Sequence, residues 1–128
     1  LPVAQVAKED FHVYKVVKPE LKSLYRDFRY ELNKLYTLNN DLKIYDGVEG
    51  YFINEGFHSY DYSLTRISNV GYTLVVIFIP IGYRCVLDYI SLFDSPLVVE
   101  CIIPKGSTYY INDVGEIVSN SIKIVKIK

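Results

Sequence analysis

The sequence predicts a β-rich α+β fold in a single domain, built from about eight short strands and one or two short helices. Three observations carry that expectation. Half of the 128 residues are apolar and only 23% are charged, the composition of a chain that buries a core. Short β-branched and aromatic runs recur between Gly, Pro and Asn turn signals. One segment, Leu21 to Tyr36, instead spaces its apolar residues in helical fashion.

Leu1 to Asp10 has little periodicity and is expected as a loose N-terminal arm, with residues 11–128 forming the domain. Phe11 to Val17 has strand composition and is closed by Lys18-Pro19. Lys15 inside that strand is expected as an edge charge facing solvent. After Pro19, the residues Leu21, Leu24, Tyr25, Phe28, Leu32, Leu35 and Tyr36 follow the i, i+3, i+4, i+7 rule. The spacing predicts a helix over Glu20 to Asp27. From Phe28 onward strand alternation fits as well, with Phe28, Tyr30, Leu32 and Lys34 on one side, and both options stay open.

Leu38-Asn39-Asn40-Asp41 reads as a turn, and Leu42 to Tyr45 as a short strand ending at Asp46-Gly47. Tyr51-Phe52-Ile53 leads through the turn Asn54-Glu55-Gly56 into Phe57 to Tyr62. Ser63 to Asn69 is expected as one or two helical turns, because Asp61 and Ser63 are good N-cap types. Leu74 to Ile79 is apolar on both faces and reads as a central strand stopped by Pro80-Ile81-Gly82. Tyr83 to Tyr89 fits a short strand or an irregular crossing, and Ser91 to Pro96 a loop. The strand Leu97 to Ile103 follows, then a Pro104-Lys105-Gly106-Ser107 turn and a return over Thr108 to Asp113. Val114-Gly115-Glu116 is a turn, and Ser121 to Ile127 closes the fold.

Alternation sets Leu97, Val99, Cys101 and Ile103 on one face of their strand, with Val98, Glu100 and Ile102 on the other. Both faces are apolar except for Glu100, so the strand is expected to be covered on both sides. An ionised carboxylate there costs several kcal/mol unless it is paired or faces a cleft. Two roles fit Glu100. One is a structural ion pair with Arg84, Arg66 or Lys15. The other is the floor of a cleft, accepting from a sugar hydroxyl or stabilising a cationic transition state.

Other classes lack their signatures. Fourteen basic and 15 acidic residues are interspersed, for a net charge of −1, so the electrostatic footprint of a nucleic-acid binder is missing. The longest apolar run, Leu74 to Ile79, is too short to span a bilayer, and no signal-peptide pattern is visible. The expected setting is therefore intracellular, without nucleic-acid or membrane partners. Cys85 and Cys101 have neither the number nor the spacing of a disulfide framework or zinc site, and they are expected as buried thiols. His12 and His58 complete no metal-ligand set. The motifs G-x-G-x-x-G, H-E-x-x-H, G-x-S-x-G and the Walker loop are absent. His58-Ser59 is a pair in sequence only, since strand neighbours point to opposite faces.

From Gly56 onward the order of motifs is more specific. Phe57-His58-Ser59 is followed by the apolar strand with Pro80-Ile81-Gly82. Ile90-Ser91 then enters a loop, and Glu100 to Pro104 with Lys105-Gly106 and Tyr109 to Ile111 follows. This order resembles the second half of the mono-ADP-ribosyltransferase fold found in bacterial toxins and some viruses. The resemblance implies a split, strongly twisted sheet, recognition of NAD or an ADP-ribose-containing nucleotide, and a transferase that modifies or inhibits a host protein. It also implies that Ser59 orders the NAD cleft and that Glu100 engages the nicotinamide ribose, supporting the oxocarbenium-like state as nicotinamide leaves. An aromatic at Tyr60 would stack on nicotinamide, and Lys15 stands where the family's first strand has its NAD-binding arginine. Tyr60 and Asp61 replace the family's Thr and Ser, Val98 replaces its acceptor-directing side chain, and Lys15 lacks the bidentate fork of arginine. A compact copy with degenerate motifs suits a viral, including bacteriophage, or mobile-element protein. The alternative function is a non-catalytic module that binds a host or virion protein through a surface rich in the chain's 13 tyrosines.

Overall fold

A computed structural model of the chain describes residues 3–23, 26–39, 41–47, 50–52, 55–61, 64–70, 72–78, 85–90, 97–112 and 115–127. Eight strands form one antiparallel sheet. They are β1 (Gln5–Val6), β2 (Phe11–Val17), β3 (Leu35–Thr37), β6 (Phe57–Tyr60), β10 (Leu97–Ile103), β11 (Thr108–Ile111), β12 (Glu116–Ser119) and β13 (Ser121–Ile127). Their order across the sheet is β1-β11-β12-β6-β2-β10-β13-β3. Two smaller antiparallel sheets are β4 (Tyr45–Gly47) with β5 (Gly50–Phe52), and β7 (Leu64–Val70), β8 (Tyr72–Phe78) and β9 (Cys85–Ile90) as a meander.

The expected α+β class and its split, transferase-like sheet are therefore corrected to an antiparallel β architecture. Among the described residues the only helical piece is a 3-10 turn at Pro19–Leu21. The helix expected over Glu20 to Asp27 fails at its first turn. Glu20 (φ 64°) and Leu21 (φ 60°) are left-handed, a conformation that cannot propagate a right-handed helix. The main-chain groups instead pair across the segment, Lys18 N–H to Lys22 O (2.8 Å), Ser23 N–H to Phe28 O (2.8 Å) and Tyr30 N–H to Leu21 O (2.9 Å). The helical turns expected over Ser63 to Asn69 are also corrected. Leu64–Val70 is a strand in register with β8, where Ile67 faces Val75 and Val70 faces Tyr72. N-cap types supplied a start signal, and pairing with the next strand in the chain overrode it.

Within the loose arm expected over residues 1–10, residues 5–7 are paired to the sheet. Gln5 and Val6 pair with Tyr109 and Thr108, and Ala7 is bonded on both sides, its N–H to Ser107 O and its carbonyl to Gly106 N–H (both 2.8 Å). The turn at Pro104 to Ser107 forms as expected, with Ser107 N–H on Pro104 O at 3.1 Å. Gly106 at φ 88° fills the third position, where a type II turn needs glycine.

That turn does not fold β11 back onto β10. The two strands are four places apart in the sheet, as are β12 and β13, which only Asn120 connects. Four inter-strand spacings are about 19 Å in a flat sheet, whereas one intervening residue spans at most about 7 Å. The sheet must therefore coil around its own concave face. On that face lie Val13 and Val17, Val99, Cys101 and Ile103, Ile117, Ile122 and Ile124, all at most 1% exposed. Each such aliphatic side chain contributes about 1.5–3 kcal/mol on leaving water. Tyr30 and Phe57 complete the cluster. No helix among the described residues is long and apolar enough to cross a membrane.

Candidate functional site

Strand pairing decides which expected site residues can meet, because residues directly opposite on neighbouring strands share a face. One row crosses the sheet as Glu116, Tyr60, Tyr14, Glu100 and Lys126. It lies on the convex side, away from the aliphatic core. The next row carries Ile117 opposite Ser59 and Lys15 opposite Val99, on the core side. Glu100 and Tyr60 are thus brought to one face with Tyr14 between them, and Ser59 and Lys15 to the other. The cleft that would need Ser59 and Glu100 together is not formed by these strands.

Glu100 is half-buried, as are Val98 and Ile102, so β10 is sealed on its Val99-Cys101-Ile103 face and not on both. An ion pair of Glu100 with Lys15 is precluded by their opposite faces. Arg84 and the Arg66 side chain lie outside the described residues. Opposite the Glu100/Cys101 step, β13 carries one extra residue, Val125, and the register shifts there. Such a bulge increases local twist and re-aims neighbouring side chains.

Lys15 corrects a second expectation. It belongs to an interior strand, between β6 and β10, and its phase places it with Val13 and Val17. The ammonium donates to His58 O at 2.7 Å and stands 5.8 Å from the centre of the Tyr30 ring. Burial pushes Lys15 down from 10.5 to about 8, against an opposing pull from Cys101. Cys101, fully buried, is pushed up by burial to about 12, with Lys15 drawing it back and Glu100 adding to the rise. The Tyr30 phenol is raised as well, first by burial and then by Cys101 and Tyr36. Ser59 is 1% exposed, and its hydroxyl has no hydrogen-bond partner among the described residues. His58 on the same strand is exposed, so this neighbouring pair diverges as alternation requires.

These groups cannot act as a nucleophilic centre where they stand. A thiol held near 12 carries almost no thiolate at neutral pH. The half-buried lysine donates its amine to the main-chain carbonyl of His58. Among the described residues no three His, Cys, Asp or Glu side chains gather as metal ligands.

Solvent-facing chemistry concentrates elsewhere, on residues 18–36. Phe28, Tyr30 and Tyr36 pack edge-on with centroids 4.8–5.3 Å apart, and Tyr30 reaches Phe57 at 6.3 Å. The cluster ties this segment to the core while Phe28, Leu32 and Leu35 remain 40%, 46% and 51% exposed. A recess of ≈ 330 Å³ is lined by Lys18, Lys22, Ser23, Arg26, Asp27, Phe28 and Arg29. The legible signal was a local charge excess, five basic against three acidic residues between Lys18 and Lys34. The helical spacing of this stretch marks only its apolar residues.

The edge strand β3 adjoins this segment. It pairs with β13 through Tyr36 opposite Ile122 and Thr37 opposite Ser121, and Leu38 N–H continues the ladder to Asn120 O. In an antiparallel ladder alternate residues turn their main-chain groups outward. By that phase the N–H and C=O of Leu35 and Thr37 point away from β13, at the end of the sheet.

Comparison of the chain with protein-family models, with curated proteins and with solved structures found no match in any of the three.

Proposed function

We propose that this chain is a non-catalytic binding module that docks an extended segment of a partner protein along its β3 edge. The observation that carries this reading is the edge itself. Outward main-chain groups at Leu35 and Thr37 are flanked by apolar side chains, Leu35 on one face and the Phe28–Tyr36 pair on the other. An added strand gains main-chain hydrogen bonds along such an edge and specificity from alternate side-chain pockets. Natural edges are commonly blunted by charge or proline, whereas the three residues of β3 include neither and Leu35 is 51% exposed. The basic excess of residues 18–34 favours an acidic segment as the occupant.

The transferase reading draws less support, because its serine and glutamate stand on opposite faces of one sheet. The two functions separate by experiment. Extended acidic peptides selected from a displayed library bind the wild-type chain, and Thr37→Pro, which removes an outward N–H, weakens them by roughly tenfold. Glu100→Gln and Ser59→Ala leave that binding unchanged. A saturable thermal shift with NAD, accompanied by nicotinamide release that Glu100→Gln abolishes, would overturn the docking reading in favour of transfer chemistry.

A further inference from the structure

Strand β3 turns the main-chain groups of Leu35 and Thr37 outward, while Tyr36 between them pairs with Ile122 of β13. The phase is fixed by the continuing ladder, in which Leu38 N–H donates to Asn120 O at 2.8 Å. No main-chain group among the described residues bonds the outward N–H and C=O of Leu35 and Thr37. The spacing of these groups is self-complementary. When a second copy of the strand runs antiparallel about a two-fold axis at Tyr36, Leu35 falls opposite Thr37 of the second copy, and Thr37 opposite its Leu35. Residues so opposed exchange both N–H···O bonds. Four hydrogen bonds then close across the axis, and each outward group of the two residues is used once. Tyr36 meets Tyr36 of the second copy as the closely spaced, non-hydrogen-bonded pair between them.

The side chains permit this approach. β3 reads Leu-Tyr-Thr, without charge or proline. Leu35, 51% exposed, lies diagonal to Leu35 of the second copy, about 7–8 Å away and within reach of long side chains. On the other face the Tyr36 pair is flanked by Phe28, which packs edge-on to Tyr36 at 5.2 Å and is 40% exposed. Lys34, the charge adjoining the strand, is held 3.2 Å from Glu31 and 5.4 Å from the centre of the Tyr36 ring. Across the axis its two copies stand four residues apart along the strands, about 14 Å. That exceeds the ~8–10 Å over which exposed charges act in salt. Three strand residues and their neighbours cover well under the ~1,200 Å² of a lasting interface, so the pairing is weak and exchangeable.

We propose that the β3 edge is occupied by a second copy of this chain, in a two-fold dimer that joins two eight-stranded sheets into one. This pairing rests on the same open edge as the docking reading and adds regulation to it. A docking segment competes with the second copy, so crowding of the chain withholds the edge and dilution releases it. A two-fold interface closes on itself, whereas pairing β3 to the opposite edge strand β1 would be head-to-tail and run on into open chains. β1 is two residues long and offers a shorter row of groups.

Sedimentation velocity of the whole chain under reducing conditions, with concentration raised from micromolar to millimolar, reads the assembly. A shift from monomer to dimer is expected, with no larger species. Leu35→Lys and Leu35→Glu each set two like charges on the diagonal, and each alone should weaken dimerisation roughly tenfold or more. An equal mixture of the two variants should restore the dimer, because the diagonal then holds opposite charges; recovery also shows that both variants fold. A wild-type chain that stays monomeric, species that grow past the dimer, variants that dimerise like wild type, or a mixture that stays monomeric overturns the proposal. So does a peptide whose binding is weakened by Thr37→Pro and yet leaves the dimer intact. Peptides that bind a chain monomeric throughout keep the docking reading and refute the dimer. A dimer that passes the charge exchange while no peptide binds supports the self-pairing and refutes docking.

Discussion

Replacing Lys15 by methionine tests the interior arrangement directly, and the effect can be worked out by pH. In the unfolded chain the lysine titrates at 10.5, and in the fold at about 8. Between those values the unfolded state holds one more proton, so stability rises with pH by about 1.4 kcal/mol per unit. Below about pH 8 both states are protonated, and the full cost of burying the ammonium, about 3 kcal/mol, is in force. Cys101 acts in the opposite sense. Its thiol titrates at 9.0 when unfolded and near 12 in the fold, so stability falls as pH climbs past 9. The raised Tyr30 phenol adds a further fall above 10.

The sum is a distinctive profile for the wild-type chain. Stability should be flat to about pH 8, rise by about 1.4 kcal/mol to pH 9, level off as lysine and thiol oppose each other, and fall beyond 10. Lys15→Met removes the rise and leaves only the fall. Urea unfolding followed by circular dichroism under reducing conditions, at half-unit steps from pH 7 to 10.5, measures both curves. A wild-type curve without the rise, or a Lys15→Met curve that keeps it, would refute the buried placement of the ammonium against His58 O.

Further expectations follow from packing. Ser59→Ala should stabilise the fold by about 1 kcal/mol, because it removes a buried hydroxyl without a partner; a loss of stability in thermal melts would mean that the hydroxyl is satisfied. Gly56→Ala should cost about 3 kcal/mol or more in urea unfolding. Gly56 sits at φ 149°, and an added Cβ there would run into Val118 Cγ1. Ile103→Ala should cost about 2–5 kcal/mol, whereas Ile127→Ala, at a residue 49% exposed, should cost far less. Equal costs at the two isoleucines would contradict the coiled sheet that buries one and not the other.

Much of the strand content could be read directly from residue type. Phe11–Val17, Leu97–Ile103 and Ser121–Ile127 are strands at the positions that β-branched and aromatic residues mark, and the Pro104 to Ser107 turn follows from its glycine. Alternation also sorted β10 correctly into Leu97-Val99-Cys101-Ile103 and Val98-Glu100-Ile102. Helical periodicity misled where turn pairings and ring contacts within the same segment competed with it. The 3.6-residue spacing of Leu21, Leu24 and Phe28 resembles a helix, yet main-chain pairing and the Phe28–Tyr30–Tyr36 cluster hold the segment as an irregular turn.

By itself, then, the sequence determined which residues share a face, because a period of two is a property of the strand backbone. Only the tertiary structure decided which of those faces is buried. Lys15 alternates with Val13 and Val17 whatever the fold. It points inward because β2 lies between β6 and β10 in a sheet that coils on that side. The same strand order sends Ser59 inward and Glu100 outward. Strand order depends on pairings between residues far apart in the chain, and their energies come from partners that no local pattern names.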